Sequence, residues 1–257
     1  MVYPIPTSLS PSRVDAFTSC PMAFRFASIE RIPEPPTPHL TKGSLVHRAL
    51  ELLFVLPAAD RNPATARSSF DAAVHEYRSL DDFRLLGLTE GEVDAFVADS
   101  WSLVEAYLRM EDPSTVREIG LELRLEAQVG DLTLRGVIDR LELDDDGELV
   151  VVDYKTGRAP HQHYQQSRLG GVHFYSFLCE EVLGRRPAEI RLMYLRSGET
   201  ITTRPTAQSV RFLTQRTTAV WKAVARACET GQFGAKQGPL CTGCSFREWC
   251  PAWGGDP

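Results

Sequence analysis

The chain has 257 residues, 43% of them apolar and 24% charged, which is ordinary for one large globular domain. No apolar run approaches the ~20 residues of a membrane helix and no signal peptide opens the chain, so we expect no membrane contact and a cytoplasmic location. Because that compartment is reducing, the six cysteines indicate metal binding rather than disulfides. A net charge of −6 argues against indiscriminate coating of DNA.

The chain opens with a predicted helix. Ser10 is a good N-cap and Pro11 suits the first helical position. Cys20 lies on or beside the apolar stripe of this helix, so a buried, inert thiol is one interpretation of it. The four prolines of residues 31–38 predict an extended connector.

A second helix, over residues 41–54, places His47 on an apolar face. A lone histidine there is more often a satisfied core residue than a metal ligand. Residues 64–82 and 89–112 form two further predicted helices. Nothing in these two helices suggests chemistry, and we assign residues 41–115 to a helical subdomain.

Two strands follow, over residues 116–129 and 132–143, and meet at a turn. Glu122 alternates with apolar residues on the first strand. Two interpretations remain open for it, a contact with the carboxylates described next or, as we expect, a solvated strand position.

Charged residues end the hairpin formed by residues 132–143 and 150–155. Side chains alternate along a strand, so Asp153 and Lys155 share a face, and Asp139 can lie opposite Asp153. Clustered carboxylates are hard ligands for Mg²⁺ or Mn²⁺, and the ammonium can offset charge on a phosphate. The alternative is a surface hairpin with solvated charges. Against it, only four lysines occur beside 24 arginines, and Lys155 alone has an acid two residues before it.

The charge is unevenly distributed. Residues 60–155 carry 10 basic and 23 acidic side chains, whereas residues 158–226 carry 11 basic and 4 acidic ones. The second segment either holds the backbone of a polyanion or is a solvated surface.

The remaining elements are a predicted helix over 163–184, a hairpin of 189–196 with 200–204, and a helix over 206–230. Their order predicts an α/β core, a mixed sheet flanked by helices, over residues 116–230. No Walker-type phosphate loop occurs, so we expect no ATP-driven activity.

The tail contains Cys241, Cys244 and Cys250, a strong thiolate-ligand pattern that lacks a fourth member. Cys179 and Cys228 lie in apolar helices, so Cys20 is the better fourth ligand. Spacing alone leaves Zn²⁺ and an iron–sulfur cluster open.

Together these motifs resemble the RecB-like nucleases of the PD-(D/E)XK superfamily, in the iron–sulfur branch that includes AddB-type and CRISPR-associated exonucleases. The resemblance implies that His47, Asp139, Asp153 and the carbonyl of Tyr154 hold a Mg²⁺ or Mn²⁺ ion, and that Lys155 serves the attacking water. It also implies a [4Fe–4S] cluster joining residues 10–30 to 231–251. Its ligands would be Cys20, Cys241, Cys244 and Cys250.

One position departs from the family pattern. Members place Gln four residues before the Tyr of the helix that follows the lysine motif. Here Tyr175 is present but Gly171 stands at the Gln position, so Gln165 or Gln166 is the candidate substitute.

The expected function is a metal-dependent, ATP-independent DNA exonuclease for single strands or DNA ends, in repair, recombination or processing. The alternative is a cluster-stabilised module that binds DNA ends or repair or CRISPR proteins, with a weak or idle nuclease site.

Overall fold

The computed structural model describes residues 2–255 and, of residues 162–172, the backbone only. Gln165, Gln166 and Gly171 therefore lie outside the described side chains. Within the described part, no helix is long and apolar enough to cross a membrane.

A six-stranded mixed sheet forms the centre of the fold. Strand β3 pairs with β2 along one edge, in antiparallel orientation. Along its other edge, β3 pairs first with β1, which is parallel to it, and then with β4, which is antiparallel. β5 lies parallel to β4, and β6 completes the sheet as the antiparallel partner of β5. The strands are β1 (Ser8–Leu9), β2 (Arg117–Val129), β3 (Leu132–Leu143), β4 (Leu149–Lys155), β5 (Glu189–Tyr194) and β6 (Glu199–Thr203).

Helices cover both faces of this sheet. They are α1 (Pro11–Ser19), α2 (Pro21–Phe24), which continues into a π-helical turn, α3 (Pro38–Phe54), α4 (Pro63–Ser79), α5 (Asp81–Arg84), α6 (Glu90–Met110), α7 (Gln162–Leu183) and α8 (Ala207–Thr230). One apolar cluster joins α1, α2, α7 and α8 to the sheet, and a second joins α3, α4 and α6 to the opposite face. The predicted mixed sheet flanked by helices is confirmed.

The predicted helix starts agree with the observed capping. Ser10 accepts a hydrogen bond from the backbone N–H of Arg13, and Pro11 is the first residue of α1. The connector is shorter than predicted, because Pro38 occupies the first turn of α3 rather than the extended segment. Proline fits there because the first helical N–H groups need no partner within the helix.

Candidate metal centre

The sheet opens where β3 and β4 part. Their last paired residues are Arg140 and Val152, one step short of the two carboxylates, Asp139 and Asp153, that the hairpin would otherwise place opposite each other. Instead, the Asp139 carboxylate accepts a hydrogen bond of 2.7 Å from the backbone N–H of Tyr154. The Asp139 side chain thus replaces a hydrogen bond that the two backbones do not form, and it stays where the strands separate.

Three side chains converge on this gap. His47, Glu122 and Asp139 each offer one ligand atom, and these atoms lie within 4.8 Å of one another. Imidazole nitrogen and carboxylate oxygen suit a divalent ion such as Mn²⁺ or Mg²⁺. The donor set therefore fits a hard cation.

Glu122 joins this group, contrary to our expectation of a solvated strand position. It lies across from Asp139 in the register of β2 and β3, and its backbone has a φ of 44°, in the left-handed region. Burial and the neighbouring Asp139 raise the pKa of its carboxyl. The only sequence signal was the alternation along β2, which does not reveal a left-handed residue.

His47 occupies the space between the two strands. Its Nδ1 is 3.5 Å from Asp139 Oδ2, and its Nε2 is 3.0 Å from the carbonyl oxygen of Tyr154. Burial alone would lower the pKa of His47, but Asp139, followed by Asp153 and Glu122, raises it to about 9. The imidazolium thus neutralises part of the acidic group when no other cation is bound.

Asp153 and Lys155 share a face of β4, as predicted. Lys155 Nζ is 2.5 Å from Asp153 Oδ2. Burial and the charge of Asp139 raise the pKa of Asp153. Burial opposes the charge of Lys155, yet Asp153 and Asp139 raise the pKa of its ammonium above the ordinary value. Lys155 is therefore a cation at neutral pH when no metal ion is bound.

Tyr175 reaches the same carboxylate from α7. Its hydroxyl is 3.4 Å from Asp153 Oδ1, and burial raises the pKa of this phenol, so it stays neutral. Gly136 permits the approach, because a Cβ there would lie 2.8 Å from Leu178 Cδ1 and 3.4 Å from Tyr175 Cε1.

Arg140 is a buried residue that the sequence did not single out. Its side chain is 0% exposed, and Nη1 donates hydrogen bonds of 2.8 Å to both Tyr154 Oη and Glu111 Oε2. Nη2 is 2.7 Å from Glu142 Oε2. Arg140 directly follows Asp139 in β3, and Tyr154 lies between Asp153 and Lys155 in β4. The hydrogen bond from Arg140 to Tyr154 therefore joins the two strands next to the metal centre.

The four cysteines implied as cluster ligands line one cavity between the two ends of the chain. They are Cys20, Cys241, Cys244 and Cys250. Among the described residues, no three cysteine sulfurs lie within 4.8 Å of one another, so a preassembled zinc tetrahedron is not present. Cys179 and Cys228 are buried in the core away from this cavity, and burial raises the pKa of the Cys179 thiol to about 12. Thiolates are soft ligands, so a cavity lined by cysteines suits a soft metal ion or a metal cluster.

The basic segment is only partly available to a ligand. Five of its arginines form ion pairs with carboxylates of the chain: Arg185, Arg186, Arg191, Arg196 and Arg204. On α8, four cations have no such partner among the described residues: Arg211, Arg216, Lys222 and Arg226.

The sequence profile of the PD-(D/E)XK nuclease superfamily matches residues 8–251. The chain belongs to this superfamily. Members of this superfamily are nucleases that use divalent metals. In the sequence, Asp153 and Lys155 have the acid-x-Lys spacing, and Asp139 lies in the preceding strand.

Individual relatives are distant. The Gene 69 protein of Mycobacterium phage D29 is 24% identical over 188 residues, 61% of this chain, and the match spans 65% of that protein's length. A solved structure of a candidate exonuclease from Eubacterium rectale has a TM-score of 0.58 at 11% identity, covering 93% of this chain and 87% of that one. The structure of SSO0001 has a TM-score of 0.45 at 15% identity, covering 96% and 86%. The match to the Eubacterium rectale structure shows similarity of fold alone.

Proposed function

We propose that this PD-(D/E)XK nuclease is a metal-dependent, ATP-independent exonuclease that degrades single-stranded DNA or DNA from its ends. The observation that supports it most is the convergence of His47, Glu122 and Asp139 beside the ion pair of Asp153 with Lys155. The sequence contains no Walker motif, the loop that binds the phosphates of a nucleoside triphosphate. We place this activity in DNA repair, recombination or CRISPR-linked processing, with proteins of those systems as partners.

The residues proposed to hold Mg²⁺ or Mn²⁺ are His47, Asp139, Asp153 and the Tyr154 carbonyl, with Glu122 as an addition. Such an ion, when bound, polarises a phosphate and lowers the pKa of a water. To coordinate it, the His47 imidazolium must lose one of its two ring protons, which lie on Nδ1 facing Asp139 and on Nε2 facing the Tyr154 carbonyl.

The protein's own groups then act on the phosphate. The Lys155 ammonium, kept charged by Asp153, offsets the negative charge that develops during attack. Tyr175 donates its hydroxyl proton toward Asp153 and so fixes the carboxylate from the α7 side. The Tyr154 N–H holds Asp139 at the gap, which keeps its two oxygens in a constant place.

We further propose a [4Fe–4S] cluster on Cys20, Cys241, Cys244 and Cys250, with a structural role. These four residues line one cavity between the chain ends, and this shared cavity supports the proposal. Other contacts already join the ends, including the Met22 N–H to the Gly234 carbonyl at 3.3 Å and the packing of Phe26 on Phe246 at 5.7 Å. A cluster would therefore strengthen an existing junction.

The test uses anaerobically purified protein and DNA of one sequence, single-stranded or duplex, labelled at either end. We expect stepwise shortening from an end with Mn²⁺ or Mg²⁺, none with EDTA, and no requirement for ATP. Lys155→Ala is the matched control for a contaminating nuclease. Binding of DNA ends without cleavage by the wild-type protein under any of these metals would favour the binding module instead.

A further inference from the structure

Beyond the metal centre, β2 and β3 continue as a paired ribbon, which β1 joins at Thr133 and Leu134 of β3. Its register runs from Glu122 and Asp139 to the turn at Gly130. On one face Leu125 and Ala127 are buried against the core. The described side chains of the opposite face are exposed or half-buried.

Four side chains of this open face are exposed or partly exposed: Arg124 and Glu126 on β2, and Arg135 and Val137 on β3. Cross-strand neighbours are Arg124 with Val137 and Glu126 with Arg135. The open face begins beside the metal centre, because Arg124 and Val137 lie two residues from Glu122 and Asp139 along the two strands.

Arg124 is the cation of this face nearest the metal centre. It lies two residues from Glu122, about 7 Å along the strand, and its side chain is long enough to reach a group bound beside that carboxylate. Its charge acts on Glu122. Among the described residues, Arg124 has no ion-pair partner, whereas Arg135 is 3.1 Å from Glu126.

Two other cations near the site have acidic partners. Lys155 pairs with Asp153, and Arg48 pairs with Glu51 and Glu76. The metal centre itself is acidic and repels any phosphate that is not in contact with a cation. An unpaired guanidinium at its rim is suited to a phosphate, which it binds through two parallel N–H donors.

We propose that Arg124 binds the DNA phosphate next to the scissile one, so that the substrate strand leaves the metal centre beside Arg124. This inference rests on the proposed nuclease function. It names the part of the substrate that the site holds in place and assigns Arg124 a positioning role through direct contact with DNA.

The experiment uses short single-stranded oligonucleotides, each with one neutral methylphosphonate at a different linkage. Wild type, Arg124→Gln and the control Arg135→Gln are compared by kcat/KM in Mn²⁺ and by equilibrium binding without added metal. In wild type, the neutral linkage next to the cleaved one should lower kcat/KM about tenfold, the value of one charge-assisted hydrogen bond. In Arg124→Gln the same linkage should change it by less than about twofold, and the salt slope of binding should fall by about one.

Each outcome decides a different point. Identical linkage profiles for wild type and Arg124→Gln would overturn the contact while cleavage by wild type keeps the nuclease assignment. An equal loss of the linkage effect in Arg135→Gln would also overturn the contact. That result would show a general effect of positive charge rather than a contact with Arg124. If wild type does not cleave, the nuclease proposal fails, and the binding profile still tests Arg124 through its response to the neutral linkages.

Discussion

Asp139 and Tyr154 are joined by a hydrogen bond in which the Tyr154 backbone N–H donates to the Asp139 carboxylate at 2.7 Å. The bond forms where β3 and β4 cease to pair, so one side chain both completes the backbone hydrogen bonding and lines the metal centre. Structural and chemical roles of Asp139 can therefore be separated by substitution.

Asp139→Asn and Asp139→Ala should differ in stability but not in activity. Both remove the ligand charge, so metal binding measured by calorimetry and cleavage should be lost. Asn keeps an oxygen that accepts from Tyr154, whereas Ala leaves a buried N–H unpaired at a cost of about 1–3 kcal/mol. Chemical denaturation measures this difference, and equal stability of the two variants would contradict the structural role of the bond.

Lys155→Ala should remove cleavage while leaving the fold and metal binding intact. The ammonium supplies positive charge to the reacting phosphate, and loss of one such group costs roughly 10²–10³ in rate. Single-turnover cleavage with saturating Mn²⁺ measures it. Lys222→Ala, on exposed α8 surface, is the control, and full activity of Lys155→Ala would refute the catalytic assignment.

Metal binding should release a proton from His47. In the metal-free protein the pKa of His47 is raised to about 9, so its contribution to stability is complete below about pH 6.5 and is lost as pH rises through 9. Metal affinity should rise over the same interval, by up to about tenfold per pH unit. Calorimetry in buffers of different ionisation enthalpy measures the released proton. A His47→Asn variant with the same proton release would show that the proton comes from another group.

The salt dependence of DNA binding should distinguish free from paired arginines in the basic segment. Arg211→Ala with Arg226→Ala should flatten the slope, since each lost phosphate contact removes about one counterion. Arg185→Ala with Arg186→Ala should not, because these guanidiniums lie 2.9 Å from Glu148 and Glu180. Equal slopes for both double variants and wild type would mean that α8 is a solvated surface.

The cysteine cavity should hold iron and acid-labile sulfide after anaerobic purification, and the protein should be brown. Loss of any one ligand should bleach it and lower thermal stability; closing a loop of about 220 residues by a disulfide is worth roughly 5 kcal/mol, which sets an upper scale. Cys20→Ala is compared with Cys179→Ala, a buried cysteine outside the cavity. Colourless protein with one zinc would refute the cluster but keep the four-cysteine site.

Sequence periodicity predicted most of the helices and strands and one relationship within the candidate site. Alternation placed Asp153 and Lys155 on one face, and capping residues such as Ser10 located a helix start. These are local properties, set by backbone geometry within a few residues, so they can be inferred without knowing what packs against them.

Tertiary structure alone decided the rest. Glu122 enters the metal centre because β2 adopts a left-handed residue across from Asp139, and Arg140 is fully buried because acidic and phenolic groups from α6, β3 and β4 surround it. Neither fact is visible in the sequence, since both depend on which strand and which helix lie opposite. A charged residue's environment is set by partners distant in the chain, whose charges and burial fix its protonation and its role.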